Sequence, residues 1–173
     1  MINIIIKDDI TQESKMTGQI ASMKYFKMVY SKSFGYALRG ILYVALMSDE
    51  KKRVQIDEIA ERLSVPKHFL GKIMNRIVKA GILDSTKGPY GGFSMNQTTL
   101  PTSLITVFEV TDGKERYTTC ALSMRSCNAD YPCPLHKHNE KLREDFYNRF
   151  SVTTINDLLT VEKPELIRSI TVS

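Results

Sequence analysis

All three cysteines of this 173-residue chain, Cys120, Cys127 and Cys133, fall within CALSMRSCNADYPCPLH (residues 120–136), and His136 follows the last of them after two residues. Thiolates and imidazole are the usual protein ligands of zinc and iron–sulfur centres, and the thiolate is also the redox-active form of cysteine. Three thiols gathered in one stretch, with none elsewhere, point to chemistry more than to packing. The spacing is C-x6-C-x5-C-x2-H. Structural zinc sites draw two ligands from one tight C-x2-C knuckle, and this chain has no such pair. Three thiolates and a weaker nitrogen ligand suit an iron–sulfur cluster with one labile corner, as a sensor requires. Two other readings stay open. One is thiol switching without metal, in which Cys127 or Cys133 pairs with Cys120 or becomes sulfenic acid. The other is zinc holding together an interaction module. His138 is a rival to His136 but faces a different way on a helix. A cysteine–histidine pair can also serve nucleophilic catalysis. No nucleophile motif, oxyanion-hole motif or P-loop accompanies this one, so the chain is read as a non-enzyme.

The elements that position this loop are legible from hydrophobic periodicity. Phe34, Ala37, Leu38, Ile41, Leu42, Ala45 and Leu46 recur at i, i+3, i+4 spacing and predict a helix from Ser31. Ile56, Ile59, Ala60 and Leu63 predict a second, with Asp57 and Glu58 in the first turn, where negative charge suits the helix dipole. Ser64-Val65-Pro66 then reads as a short turn in which Ser64 can cap the next helix. The third helix, residues 67–80, is expected to bury Phe69, Leu70, Ile73, Met74, Ile77 and Val78. Its other face shows Lys67, His68, Lys72, Asn75, Arg76 and Lys79, and it stops at Ala80-Gly81. Residues 82–95 read as a β-hairpin around Lys87-Gly88-Pro89-Tyr90-Gly91-Gly92. Residues 103–110 predict a short helix. Residues 135–150 predict a longer one with Leu135, Leu142, Phe146 and Phe150 along one side, a narrow stripe that suits packing on its own domain or on a twin helix, the second being favoured. A last short helix, Ile155 to Leu159, precedes a polar tail.

Helix, turn, helix, hairpin is the order of a winged helix-turn-helix, whose second helix enters the DNA major groove while the wing lies on the backbone or minor groove. Residues 28–95 hold 11 Lys/Arg and 6 Asp/Glu, so this segment alone carries 11 − 6 = +5, equal to the formal charge of the whole chain. That is the footprint of a phosphate-binding surface. No apolar run is long enough to span a bilayer. The opening MINIIIKDD has neither the basic flank nor the cleavage site of a signal peptide, so a cytoplasmic protein with reduced thiols is expected. The expected organisation is an N-terminal arm (1–27), a winged helix-turn-helix (28–112), a cysteine loop (113–134), a dimerisation helix with a short final helix (135–160) and a tail (161–173). The fold class is mainly α with a small β wing.

Three stretches carry a family resemblance: SKSFGYALRGILYVAL (31–46), IDEIAERLSVPKHFLGKIMNRIVKAGILDSTKGPYGGF (56–93), and the cysteine loop with its following helix. Over roughly residues 28–160 the chain resembles the bacterial IscR/NsrR/CymR family of winged-helix transcription regulators. The resemblance implies a homodimer with crossed C-terminal helices. It also implies a [2Fe–2S] or [4Fe–4S] cluster on Cys120, Cys127 and Cys133. His136 matches the fourth ligand of IscR-type members. NsrR-type members use an aspartate of the partner subunit at the position of Gly35, so [2Fe–2S] is favoured here. The first cysteine spacing is one residue longer than in IscR-type loops. The resemblance further implies base-edge contacts from Lys67, His68, Phe69 and Lys72, and a minor-groove contact from Lys87. Ser64, Arg76, Gly88, Pro89 and Tyr90 complete the expected DNA-binding set. Gly71 stands where some members carry a base-reading glutamate.

Overall fold

The computed structural model of the chain describes residues 30–120, 122, 130–160 and 163–171. The expected arm over residues 1–27 and the thiol of Cys127 lie outside them. The described residues from Ser33 onward belong to one unit. Helix α1 (Lys32–Met47) is its centre, with every residue from Gly40 to Met47 buried. Helices α2 (Ile56–Leu63) and α3 (Lys67–Lys79) pack beside it as the helix-turn-helix. Asp57 and Glu58 lie in the first turn of α2, as expected.

Both helices of the pair end in the same way. Ser64 N–H donates to Glu61 O and Val65 N–H to Ala60 O, which closes α2 with paired bonds to its last carbonyls. Gly81 N–H to Val78 O and Ile82 N–H to Ile77 O repeat the arrangement on α3. The closing residue is left-handed each time, Gly81 at φ 75° and Ser64 at φ 51°, ψ 49°. Ser64 therefore ends α2 instead of capping α3, whose N-cap is Pro66. The Arg39 guanidinium of α1 adds a bond to the α2 end, donating to Leu63 O at 2.9 Å and to Ile170 O at 2.6 Å. A cation between two helix C-termini faces the negative end of both dipoles.

Burial departs from the sequence expectation at Phe69, which is 37% exposed, while Leu70, Ile73, Met74 and Ile77 form the buried stripe of α3. A stripe at i, i+3, i+4, i+7 leaves Phe69 on its flank.

One partly buried network ties α1 to α2. Tyr43 O–H donates to Glu58 Oε1 at 3.0 Å, and Lys51 Nζ lies 2.7 Å from the same oxygen. Burial, then the Glu58 bond and charge, push the Tyr43 phenol from its ordinary 10 up to about 12. Burial alone would raise the Glu58 carboxyl, but the hydrogen bonds from Lys51 and Tyr43 bring it below its ordinary value. The raised Tyr43 favours the folded state up to pH 10, and that contribution is lost as pH climbs toward 12. The lowered Glu58 contributes above its ordinary value of 4.5 and is lost as pH falls. The stabilities of wild type and Tyr43→Phe from urea titrations should therefore stop running parallel above pH 10, with wild type losing on the order of 2 kcal/mol more. Parallel curves to pH 12 would remove Tyr43 as the cause.

Strands β1 (Asp84–Thr86) and β2 (Gly92–Ser94) pair antiparallel, Ser85 opposite Phe93. Val54, just before α2, exchanges both backbone bonds with Phe93 (2.9 and 2.8 Å) and fastens the hairpin to the helix-turn-helix. Helices α4 (Leu104–Asp112) and α5 (Glu115–Thr118) follow, then α6 (His136–Val152), α7 (Ile155–Leu158) and α8 (Lys163–Ile170). Helix α5 lies inside the span expected to be loop, and α8 occupies the expected tail, with Leu166 and Ile170 buried.

The apolar side of α6 is divided. Phe146 and Phe150 stack on each other at 4.4 Å and meet Phe108 of α4 edge-on, Phe146 at 5.0 Å. Phe34 of α1 joins the same cluster, 5.5 Å from Phe108. Leu135 and Leu142, with Tyr147 and Val152, remain exposed. Half of the expected dimer stripe thus serves the protein's own core.

Candidate DNA-binding surface and thiol site

The exposed face of α3 carries Lys67, His68, Lys72, Asn75 and Lys79, with Phe69 on its flank. Lys67 Nζ lies 2.5 Å from Asp57 Oδ1 in the first turn of α2; both side chains are more than half exposed, so the pair adds little stability. Arg76 is turned elsewhere: its guanidinium donates to Val110 O in the last turn of α4. It braces α3 against α4. Ser64 is exposed at the turn before α3.

Lys87, Gly88, Pro89 and Tyr90 form the exposed wing tip, and Tyr90 is 91% exposed. The tip is tethered: Gln55 Nε2 donates to Pro89 O at 2.9 Å. Sequence reasoning read Asp57 only as a first-turn acid of α2, and passed over the DNA-face roles of Gln55 and of Tyr36, whose ring meets Phe69 at 5.9 Å. Their sequence neighbourhoods carry no signal, because each acts through a contact between separate elements. Half-buried Arg53, beside Val54, has its Nε buried without a hydrogen-bond partner among the described residues.

The wing depends on Gly92. Its φ is +138°, and a Cβ there would stand 2.5 Å from Val54 O. Gly92→Ala should cost about 1–3 kcal/mol of local strain and break the Val54–Phe93 bridge. The expected readout is faster hydrogen exchange at both amides and weaker DNA binding; unchanged exchange would show that the backbone absorbs the methyl.

At the thiol site, Cys120 is buried at the end of the segment after α5, and Cys133 is half-buried before α6. His136 N–H donates to Cys133 O at 2.9 Å, so the last thiol and the histidine share one turn. His136 is the first residue of α6 and only 8% exposed, which is unusual for an imidazole at a helix N-terminus. Its Nε2 lies 3.5 Å from Glu140 Oε1 one turn on. His138 is exposed. Among the described residues, which exclude Cys127, no three His, Cys, Asp or Glu side chains gather around one point.

A family model described as an iron-dependent transcriptional regulator, Rrf2, matches residues 30–161. The chain belongs to the Rrf2 family. An HTH-type transcriptional regulator of Aquifex aeolicus (strain VF5) is 34% identical over 141 residues, which is 80% of this chain and 96% of that one. Protein aau3 of Rhizobium meliloti (strain 1021) is 29% identical over 136 residues, 76% and 85% of the two chains. Among solved structures, CymR, the global cysteine regulator of B. subtilis, superposes with a TM-score of 0.63 at 18% identity, covering 77% of this chain and 97% of that one. T. potens IscR gives 0.60 at 20% identity, covering 79% and 90%. At those identities the likeness speaks for the fold: a winged helix-turn-helix. Rrf2 proteins are transcriptional regulators, not enzymes. No helix among the described residues is long and apolar enough to cross a membrane.

Proposed function

We propose that this Rrf2-family regulator acts as a homodimer whose operator affinity is set by an iron–sulfur cluster, [2Fe–2S], held by Cys120, Cys127, Cys133 and His136. The observation that carries the reading is the burial of His136 and Cys120. An imidazole at the head of a 17-residue helix is ordinarily solvated, and here it is withdrawn beside the turn that carries Cys133. The donor set fits the group: thiolates with one imidazole are known cluster ligands, and the positive end of α6 favours an anionic centre. Glu140 Oε1, 3.5 Å from Nε2 and one turn on along α6, can orient the ring. The match to a family described as iron-dependent supports the same reading. When bound, the cluster supplies a redox-sensitive centre that oxidants and small reactive molecules can dismantle.

The chain's own residues link that site to DNA. His136 fixes the start of α6, whose Phe146 and Phe150 rest on Phe108 of α4. Arg76 joins α4 to α3. Lys67, His68, Phe69 and Lys72 meet base edges, and Lys87, Gly88, Pro89 and Tyr90 follow the backbone beside the helix-turn-helix, with Ser64 at its turn. Coupling between the two sites is about 1–3 kcal/mol, or five- to 150-fold in affinity. The exposed Leu142 and Val152 of α6, with Leu135 just before it, supply the dimer surface.

The test is a visible absorption spectrum with iron and sulfide assays on protein purified without oxygen. Bands with matched iron and sulfide, lost in Cys127→Ala, are expected, and their loss should shift DNA affinity within that range. A chain still colourless after anaerobic reconstitution would favour the second reading, thiol switching. Half-buried Cys133 is accessible enough for that chemistry. Stoichiometric zinc in the colourless protein would point to the zinc-held module.

A further inference from the structure

We propose that Phe69 reads the C5-methyl group of a thymine in the operator, and that Tyr36 is the positioning residue that holds the Phe69 ring for that contact. The proposal rests on the DNA-binding reading above and names what its helix recognises. Phe69 lies in the first turn of α3 between exposed His68 and fully buried Leu70. Its ring is more than one-third exposed although a phenyl group gains by burial. The ring is already engaged on one side. The half-buried Tyr36 of α1 meets it at an interplanar angle of 87° with centroids 5.9 Å apart. The ring is thus steadied by the protein while the residue remains exposed, on a helix whose His68 and Lys72 are exposed as well.

The chemistry of α3 narrows what the ring can recognise. The helix, KHFLGKIMNRIVK, has no acidic residue. It has no carboxylate to accept a hydrogen bond from a cytosine amino group, whereas its lysines suit the O6 and N7 acceptors of guanine. A phenyl ring neither donates nor accepts, and the one base-edge group complementary to it in the major groove is the thymine methyl. A half-site with a thymine under Phe69 beside guanines under the lysines is the sequence this face fits.

The experiment uses the full chain and a duplex selected from a random pool. Each thymine is replaced in turn by uracil, which removes the methyl and nothing else. One thymine per half-site is expected to respond, with affinity falling about fourfold for the lost apolar contact. That response should vanish in Phe69→Ala and Tyr36→Ala and persist in Tyr36→Phe, because the ring and not its hydroxyl steadies Phe69. Circular dichroism monitors folding, and Phe69→Leu, which keeps apolar bulk, should retain part of the response. The uracil scan on wild type needs no variant, so a misfolded one leaves the proposal open to refutation. If no thymine responds, or if Phe69→Ala still discriminates, the proposal is overturned while DNA binding stands. If no duplex binds better than random sequence, the reading beneath it fails as well.

Discussion

Phe108→Ala should destabilise the protein by about 3–5 kcal/mol, the largest loss expected from a single substitution in it. Phe108 is fully buried. Its ring meets Phe34 at 5.5 Å, Phe146 at 5.0 Å, Tyr117 at 6.1 Å and Phe150 at 6.3 Å. These rings come from α1, α5 and α6, so alanine removes the piece that four helices share. The neighbours cannot close on the space, because each is fixed by its own helix. Tyr117 is also held by its hydroxyl, which donates to Glu109 Oε1 at 2.5 Å. Burial, then that bond, raise its phenol well above the ordinary range, which keeps it neutral. A domain of this size has only about 5–15 kcal/mol in hand, so the variant should be marginal at best. Phe108→Leu, which retains most of the volume, should lose far less. Urea denaturation followed by circular dichroism measures both, and a Phe108→Ala loss under 1 kcal/mol would mean that α6 is not held by this cluster.

The same cluster marks where the sequence stopped being legible. The helix-turn-helix and wing were readable because each rests on local rules: apolar spacing, a left-handed glycine at the end of α3, a glycine-rich turn between short strands. What periodicity cannot supply is a partner. The stripe of α6 was visible, but Phe146 and Phe150 turn to Phe108 while Leu135 and Leu142 stay exposed. Spacing alone does not divide one stripe between two contacts. Phe69 was placed in the core by its spacing and at base edges by the family resemblance, and its flank position follows only once Leu70, Ile73, Met74 and Ile77 claim the interior. Ser64 was read as a cap because serine caps helices well. Its left-handed conformation comes from the tight α2–α3 turn, which imposes that backbone on whatever residue stands there. Helix α8 was taken for tail because its two buried residues, Leu166 and Ile170, are too few to form a pattern. The thiol site was legible in composition, as a cysteine cluster with an adjacent histidine. The burial of His136, which carries the functional reading, was not.

Lys72→Ala and Lys87→Ala should each weaken DNA binding about tenfold or more at physiological salt, and together about a hundredfold. The salt dependence is the sharper expectation. A lysine cation brought into either groove displaces condensed counterions whether it ends on a base edge or a phosphate, so its loss lowers the slope of log affinity against log salt by about 0.9. In a two-fold dimer every substitution is made twice, and the slope should fall by about 1.8 for each. Lys72 on α3 and Lys87 in the wing are both exposed, and the Gln55–Pro89 bond holds the wing tip against the helix-turn-helix. Lys67 should behave differently. Its ammonium lies 2.5 Å from Asp57, so part of its charge is already answered within the protein, and Lys67→Ala should lower the slope by less. Asp57→Ala should strengthen binding for the same reason. Fluorescence anisotropy on one duplex across a salt series measures the four single variants and the double. A slope change near 0.9 for Lys72→Ala would indicate a monomer on DNA. No change at all would mean that the exposed face of α3 does not enter the DNA.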